Sequence, residues 1–153
     1  MITFDDRELL AVLAKLEAAC DELPQIAETV RGEALGHAQL QSDLNIYRTT
    51  PGKYVRTGAF RQGIQARQTA AKNSASVTII NAVDYALYVE VGRQGMDLGV
   101  LQTMALANPG QLLTLGRSGQ NWTIAAPVVT AAQAFALYRL QQLFVLAVKN
   151  AVK

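Results

Sequence analysis

Apolar residues recur every three to four positions near both ends of this chain and every second position in its middle, and no single regular element satisfies both periods. Toward the N-terminus Leu9, Leu13, Leu16, Cys20 and Leu23 make one helical stripe. Toward the C-terminus Ala132, Ala136, Leu140, Leu143, Ala147 and Ala151 make another, widened by Phe135, Phe144 and Val148. Between them, Val77, Ile79, Asn81 and Val83 alternate with Thr78, Ile80 and Ala82, a β-branched run that suits a strand. Helices, then strands, then a closing helix predict an α+β fold, with N-terminal helices and a long C-terminal helix packed on a small, mainly antiparallel β-sheet. The 153 residues make one domain, 1–153, and a chain of this length buries roughly 70% of its extended surface.

Local signals fill in the order. Thr3 is suited to cap the first helix, with Asp6 three residues on, and Pro24 either ends that helix or opens the next. From Gln25 to about Ile46 a weaker stripe runs through Ile26, Val30, Ala34, Ala38 and either Leu40 or Gln41. Gly32 and Gly36 weaken it by about 1 kcal/mol each relative to alanine. RTTPG, 48–52, reads as a turn, and Thr57 caps a short helical turn or starts a loop. IQARQTAAK supplies a strand to pair with 76–83 through Lys72-Asn73-Ser74. Residues 93–110 read as an extended loop with at most one helical turn, ordered by a partner. QLLTLG and NWTIAA predict a second hairpin around RSGQ, with Trp122 packed, and Pro127 opens the last helix.

Several chemistries lack their residues. One cysteine and one histidine allow neither a disulfide framework nor a clustered Cys/His metal site. Cys20 reads as a small core residue, and His37 as an ordinary surface or interface residue. PGKYVRTG has tyrosine after its Gly-Lys, where a phosphate loop needs serine or threonine. Asp84 and Glu90 have neither a histidine nor metal ligands for company. The expectation is no catalytic, metal-binding or cofactor-binding residue, no cofactor and no enzyme. The N-terminus has no secretory pattern, and Ala131 to Val148 is interrupted by Gln133, Arg139, Gln141 and Gln142, so a core or interface helix is expected there, with no membrane partner.

Charge is divided along the chain. Residues 1–43 hold nine acids against three bases, whereas 44–83 hold six bases, Arg48, Lys53, Arg56, Arg61, Arg67 and Lys72, and no acid. Three readings are open: the segments face each other within one molecule or are simply solvated; the acidic helix of one copy meets the basic segment of the next; or the bases meet a nucleic-acid backbone. The spread of single bases, interleaved only with Tyr54 and Phe60, fits no recognised nucleic-acid motif.

Two short segments sharpen this. Arg56-Thr57-Gly58-Ala59-Phe60-Arg61 with Ile64 precedes the strands, and Tyr85-Ala86, Tyr88-Val89-Glu90 and Gly92, within DYALYVEVG, follow them. As a helical turn the second segment puts Tyr85, Tyr88 or Val89, and Gly92 on one side. Its aromatics are then expected beneath the sheet, Glu90 turned away toward a base such as Arg93, and Gly92 ending the turn at positive φ. In this order and spacing the segments resemble the neck or tail-completion proteins of tailed bacteriophages. The resemblance covers about 40 residues directly and, by element order, nearly the whole chain.

The resemblance implies a structural protein of the virion, made in the host cytoplasm and placed at the head-tail junction. It implies a homo-oligomeric ring, sixfold, that touches adjoining connector or stopper and tail-tube proteins, with nonspecific contact between some arginines and genomic DNA in the lumen. A tail terminator or stopper of the same junction is the near alternative, and a small nucleic-acid-binding domain the distant one. On this reading Arg56, Arg61, Glu90, Arg93, Asp5, Asp6 and Glu8 are subunit-interface candidates, and Thr57, Gly58, Phe60, Ile64, Tyr85, Tyr88, Val89 and Gly92 shape the motif.

Overall fold

The computed structural model describes residues 6–50, 55–116 and 123–153. Helix α1, Arg7–Asp21, is followed by α2, Leu23–Ser42, which Pro24 opens in its first turn. Glu22 joins them at φ −80°, ψ −12°, and the Ile26 amide donates to its carbonyl at 2.9 Å. Because the junction stays right-handed, α1 prolongs α2 with a bend and does not fold back on it. A π-helical turn, Asp43–Tyr47, continues α2. Then come α3, Ala59–Gln62, the strands β1, Ile64–Ala71, and β2, Ser74–Asn81, and α4, Ala86–Val91. Helix α5, Leu98–Ala107, and the long α6, Val129–Val152, complete the order.

The expected α+β architecture is present. β1 and β2 form a two-stranded antiparallel hairpin in which Ala66 faces Ile79 and Gln68 faces Val77. Alternation puts Val77 and Ile79 on the covered face and Thr78 on the solvent face. An isolated hairpin is marginal in water, so its stability comes from α2 and α6, which pack against it.

Asn45 at the end of α2 donates to the Pro127 carbonyl at the start of α6 at 3.0 Å, so the two helices run antiparallel. Their shared face is built from small residues, Ala27, Ala34 and Ala38 against Ala132 and Ala136, all fully buried. Small side chains let helices approach to the near end of the usual 8–10 Å separation. The consequence is an inverted distribution: among the described residues twelve of the 23 buried hydrophobic ones are alanine, while Leu9, Leu10, Leu13, Leu87, Leu106, Leu137 and Leu146 are each at least 46% exposed. Helix α6 has the length and apolar content of a membrane span; here it lies against α1, α2, α5 and β2, and Arg139 on it pairs with Glu33 of α2 at 2.7 Å.

Four expectations are corrected. The first half of the α1 stripe is uncovered: Leu9 and Leu13 are exposed, Cys20 is half-buried, and Ala19 is the residue α1 buries. Residues 93–110 are not an extended loop, because the Asp97 carboxylate accepts from the Val100 amide at 3.0 Å and caps the ten-residue α5. The second hairpin is absent among the described residues, since 111–116 and 123–126 form no strand. Its turn and Trp122, like Thr3, lie outside them. His37 is buried, stacked on Phe135 at 4.4 Å, and burial holds its imidazole below the usual pKa.

Candidate functional site: an aromatic cleft where the two motif segments meet

Helix α3 begins from Gly58, at φ +79°, a conformation that costs glycine little, and the Thr57 hydroxyl accepts from the Ala59 amide at 3.3 Å. That turn drives Phe60 into the core, 6.3 Å from the Tyr85 ring, and Ile64 starts β1 as a buried residue. Asn81, at the end of β2, donates to the Phe60 carbonyl at 2.9 Å and accepts from the Val83 amide at 3.2 Å. One side chain thus ties the strand exit to α3. The two segments, separated in sequence by the hairpin, come together around it.

Between them lies a cleft of about 370 Å³ whose walls include Tyr47, Val55, Arg56, Phe60, Tyr85 and Tyr88. The expected burial of the tyrosines is corrected: Tyr85 and Tyr88 stay 47% and 48% exposed and line the opening, while Val89 enters the core. The reason is register. On so short a helix Val89 and Glu90 take the inward positions, leaving Tyr85 and Tyr88 at the rim. Desolvation, then the neighbouring Tyr47, pushes the Tyr85 phenol above its ordinary pKa. The Tyr47 hydroxyl accepts from the Arg61 amide at 3.2 Å.

Glu90 overturns its expected role. It is 4% exposed, and its carboxylate reaches the N-terminus of α6, where Oε1 accepts from the amides of Val128 at 2.7 Å and Val129 at 2.6 Å, and Oε2 from Thr130 at 3.2 Å. A carboxylate there satisfies amides that have no partner within the helix and faces the positive end of its dipole. Burial raises the Glu90 pKa, and the amide bonds act against that shift. The expected partner Arg93 is exposed. Gly92 ends α4 at φ +70°, as expected, and a Cβ there would sit 2.6 Å from the Ala125 nitrogen. The segment 123–126 before α6 therefore lies directly on Gly92, and the Ala126 amide donates to the Val89 carbonyl at 3.0 Å.

Arg56 is likewise engaged within the chain. Its guanidinium donates to the Tyr47 and Thr49 carbonyls at 3.3 and 2.6 Å, to the Thr49 hydroxyl at 2.6 Å and to the Thr50 carbonyl at 3.2 Å. It gathers the carbonyls that follow the π-helical turn, a placement that also suits a cation at a helix C-terminus. Arg61 stays exposed and meets Asp43 at 3.2 Å, so the acidic and basic segments touch within one molecule at this point. Asp6, just before α1, and Glu8 in its first turn are exposed and do not line the cleft, and Asp5 lies outside the described residues.

Polar residues that continue apolar stripes carry connections the sequence reading missed. Gln41 exchanges two hydrogen bonds with the Leu113 backbone, one of them from the Leu113 amide at 3.0 Å, and Asn45 donates to the same carbonyl at 3.0 Å. Gln133 of α6 accepts from the Ile79 amide at 2.9 Å and donates to the Val77 carbonyl at 2.8 Å, closing the outer edge of β2. The legible signal was position: Gln41 lies three residues after Ala38, and Gln133 breaks an otherwise apolar run.

Among the described residues no group of three His, Cys, Asp or Glu side chains is placed to hold a metal ion. The cleft offers aromatic and aliphatic faces, the one lining arginine Arg56 and an open mouth, which suits an inserted apolar side chain. Comparison with protein-family models, with curated proteins and with solved structures gives no match for this chain.

Proposed function

We propose that this chain is an assembly subunit that works through its surfaces and transforms no substrate. More specifically, it is a ring-forming structural protein of the tailed-bacteriophage neck, joining the tail to the DNA-filled head. The observation that carries the proposal is the convergence of 56–64 and 85–92, the segments that resemble neck and tail-completion proteins, on one cleft. The alanine-built core supports it, because the large apolar side chains left outside are the material of subunit contacts. Burying the exposed half of one such leucine in a contact contributes roughly 1 kcal/mol.

The engaged state of Arg56 changes the useful experiment, since reversing its charge breaks internal bonds as well as any contact. The informative change is Arg48→Glu, on an exposed side chain, which is expected to weaken assembly and leave circular dichroism unchanged. The wild-type chain is expected to sediment as a closed oligomer, six copies on this reading, and to show a central opening by electron microscopy. Phage lacking the chain are expected to accumulate separate heads and tails. Fully joined, infectious particles made without it refute the proposal.

A further inference from the structure

We infer that the exposed first half of α1 is the knob that fills the aromatic cleft of a neighbouring copy, which makes the contact head-to-tail. The inference deepens the ring reading above and rests on it. Leu9, Val12 and Leu13 lie on one face of α1 at helical spacing, 45% to 56% exposed, with Leu10 beside them at 55%. Toward its C-terminal end the same stripe meets α6 through Ala19, so the uncovered part is its overhanging start.

Knob and socket cannot meet within one molecule. The α1–α2 rod bends at Glu22 without reversing, and 34 residues of nearly continuous helix separate Leu13 from Tyr47 at the cleft. At 1.5 Å per residue that is roughly 50 Å. Two complementary patches at opposite ends of a rod bring together different surfaces of successive copies, and such a contact closes into a ring when the rotation between copies allows.

Charge favours this occupant. Asp6, Glu8, Glu17, Asp21 and Glu22 are exposed along α1, against Arg7 and Lys15. Around the cleft stand Arg48, Arg56 and Arg61, against Asp84 and against Asp43, which already pairs with Arg61. From Asp6 to Glu22 the acids outnumber the bases, most of the excess lying at 17–22 beyond the knob, and the socket is net positive, a complementarity that steers encounter. The cleft's aromatic walls suit leucine side chains, and its volume of about 370 Å³ is large enough to admit them.

Paired cysteines test this directly. In a Cys20→Ser background, one chain carries both Leu9→Cys and Tyr88→Cys, positions that are exposed and remove no core residue. Mild oxidation should give a disulfide ladder running past the dimer on non-reducing gels, since each copy offers a knob to one neighbour and a socket to the other. Each single-cysteine chain should stop at dimer. Separately, Leu9→Asp with Leu13→Asp should leave circular dichroism unchanged and weaken self-association on the order of a hundredfold or more. An oligomer that forms without bonding position 9 to position 88, or that survives the aspartate pair, overturns this inference and leaves the ring reading standing. A wild-type chain that stays monomeric at its highest soluble concentration overturns both.

Discussion

Replacing Glu90 with alanine removes the acceptor of three α6 amides at once. Val128 is fully buried, so water cannot reach its amide; Val129 and Thr130 are half-buried. One orphaned buried donor costs about 1–3 kcal/mol and a lost helix cap about 0.5–2 kcal/mol, while relief of a buried carboxylate offsets part of this. The net expectation is a loss of about 3 kcal/mol. Glutamine keeps the volume and one oxygen for the two shorter bonds, and loses only the acceptor facing Thr130, so Glu90→Gln should cost about 1 kcal/mol. For a chain of this size each kcal/mol moves Tm by about 2–4 °C, giving falls of about 6–12 °C for alanine and about 2–4 °C for glutamine.

The pH dependence supplies a second reading of the same bonds. Burial raises the Glu90 pKa above 4.5, so the native chain binds this proton more readily than the unfolded chain. Its contribution to stability is therefore fullest below pH 4.5 and is lost as pH rises through the folded-state value. Relative to the Glu90→Gln variant, which does not titrate there, the wild type should gain stability as pH falls from neutral toward 4.5. Urea titrations at several pH values, followed by circular dichroism, measure it. An alanine variant within 1 kcal/mol of wild type, about the effect of a typical harmless substitution, or a pH trend of opposite sign refutes the reasoning.

Two further substitutions probe the frame around the cleft. Gly92→Ala places a Cβ 2.6 Å from the Ala125 nitrogen at φ +70° and should cost about 4 kcal/mol or more. Gly95→Ala, at the same φ in open space, should cost about 1–2 kcal/mol, and equal midpoints for the two in thermal melts would contradict this. Gln133→Leu leaves the Ile79 amide and Val77 carbonyl without their partner, costs about 2–3 kcal/mol, and uncovers the outer edge of β2. Light scattering should then show faster aggregation than wild type, and an unchanged rate with an unchanged urea midpoint would count against that role.

What the sequence determined on its own was periodic and local. The α6 face through Ala132, Ala136 and Ala147, the β1–β2 pairing, the Pro24 junction and positive φ at Gly92 follow from spacing, from β-branched content and from backbone sterics, all carried by near neighbours. The resemblance marked 56–64 and 85–92 as two short segments, and only the folded chain showed that they meet at one place.

The tertiary structure alone decided where the polar groups go. Glu90 looks like a surface acid in sequence because its partners are amides 38 to 40 residues downstream, exposed only by the start of a helix. Arg56 binds carbonyls released by the π-helical end of α2, and no residue type encodes a free carbonyl. Likewise, a stripe of leucines marks an apolar face without saying what covers it. In α1 the chain runs past the end of its own core, so Leu9 and Leu13 stay exposed although their spacing is that of a buried face.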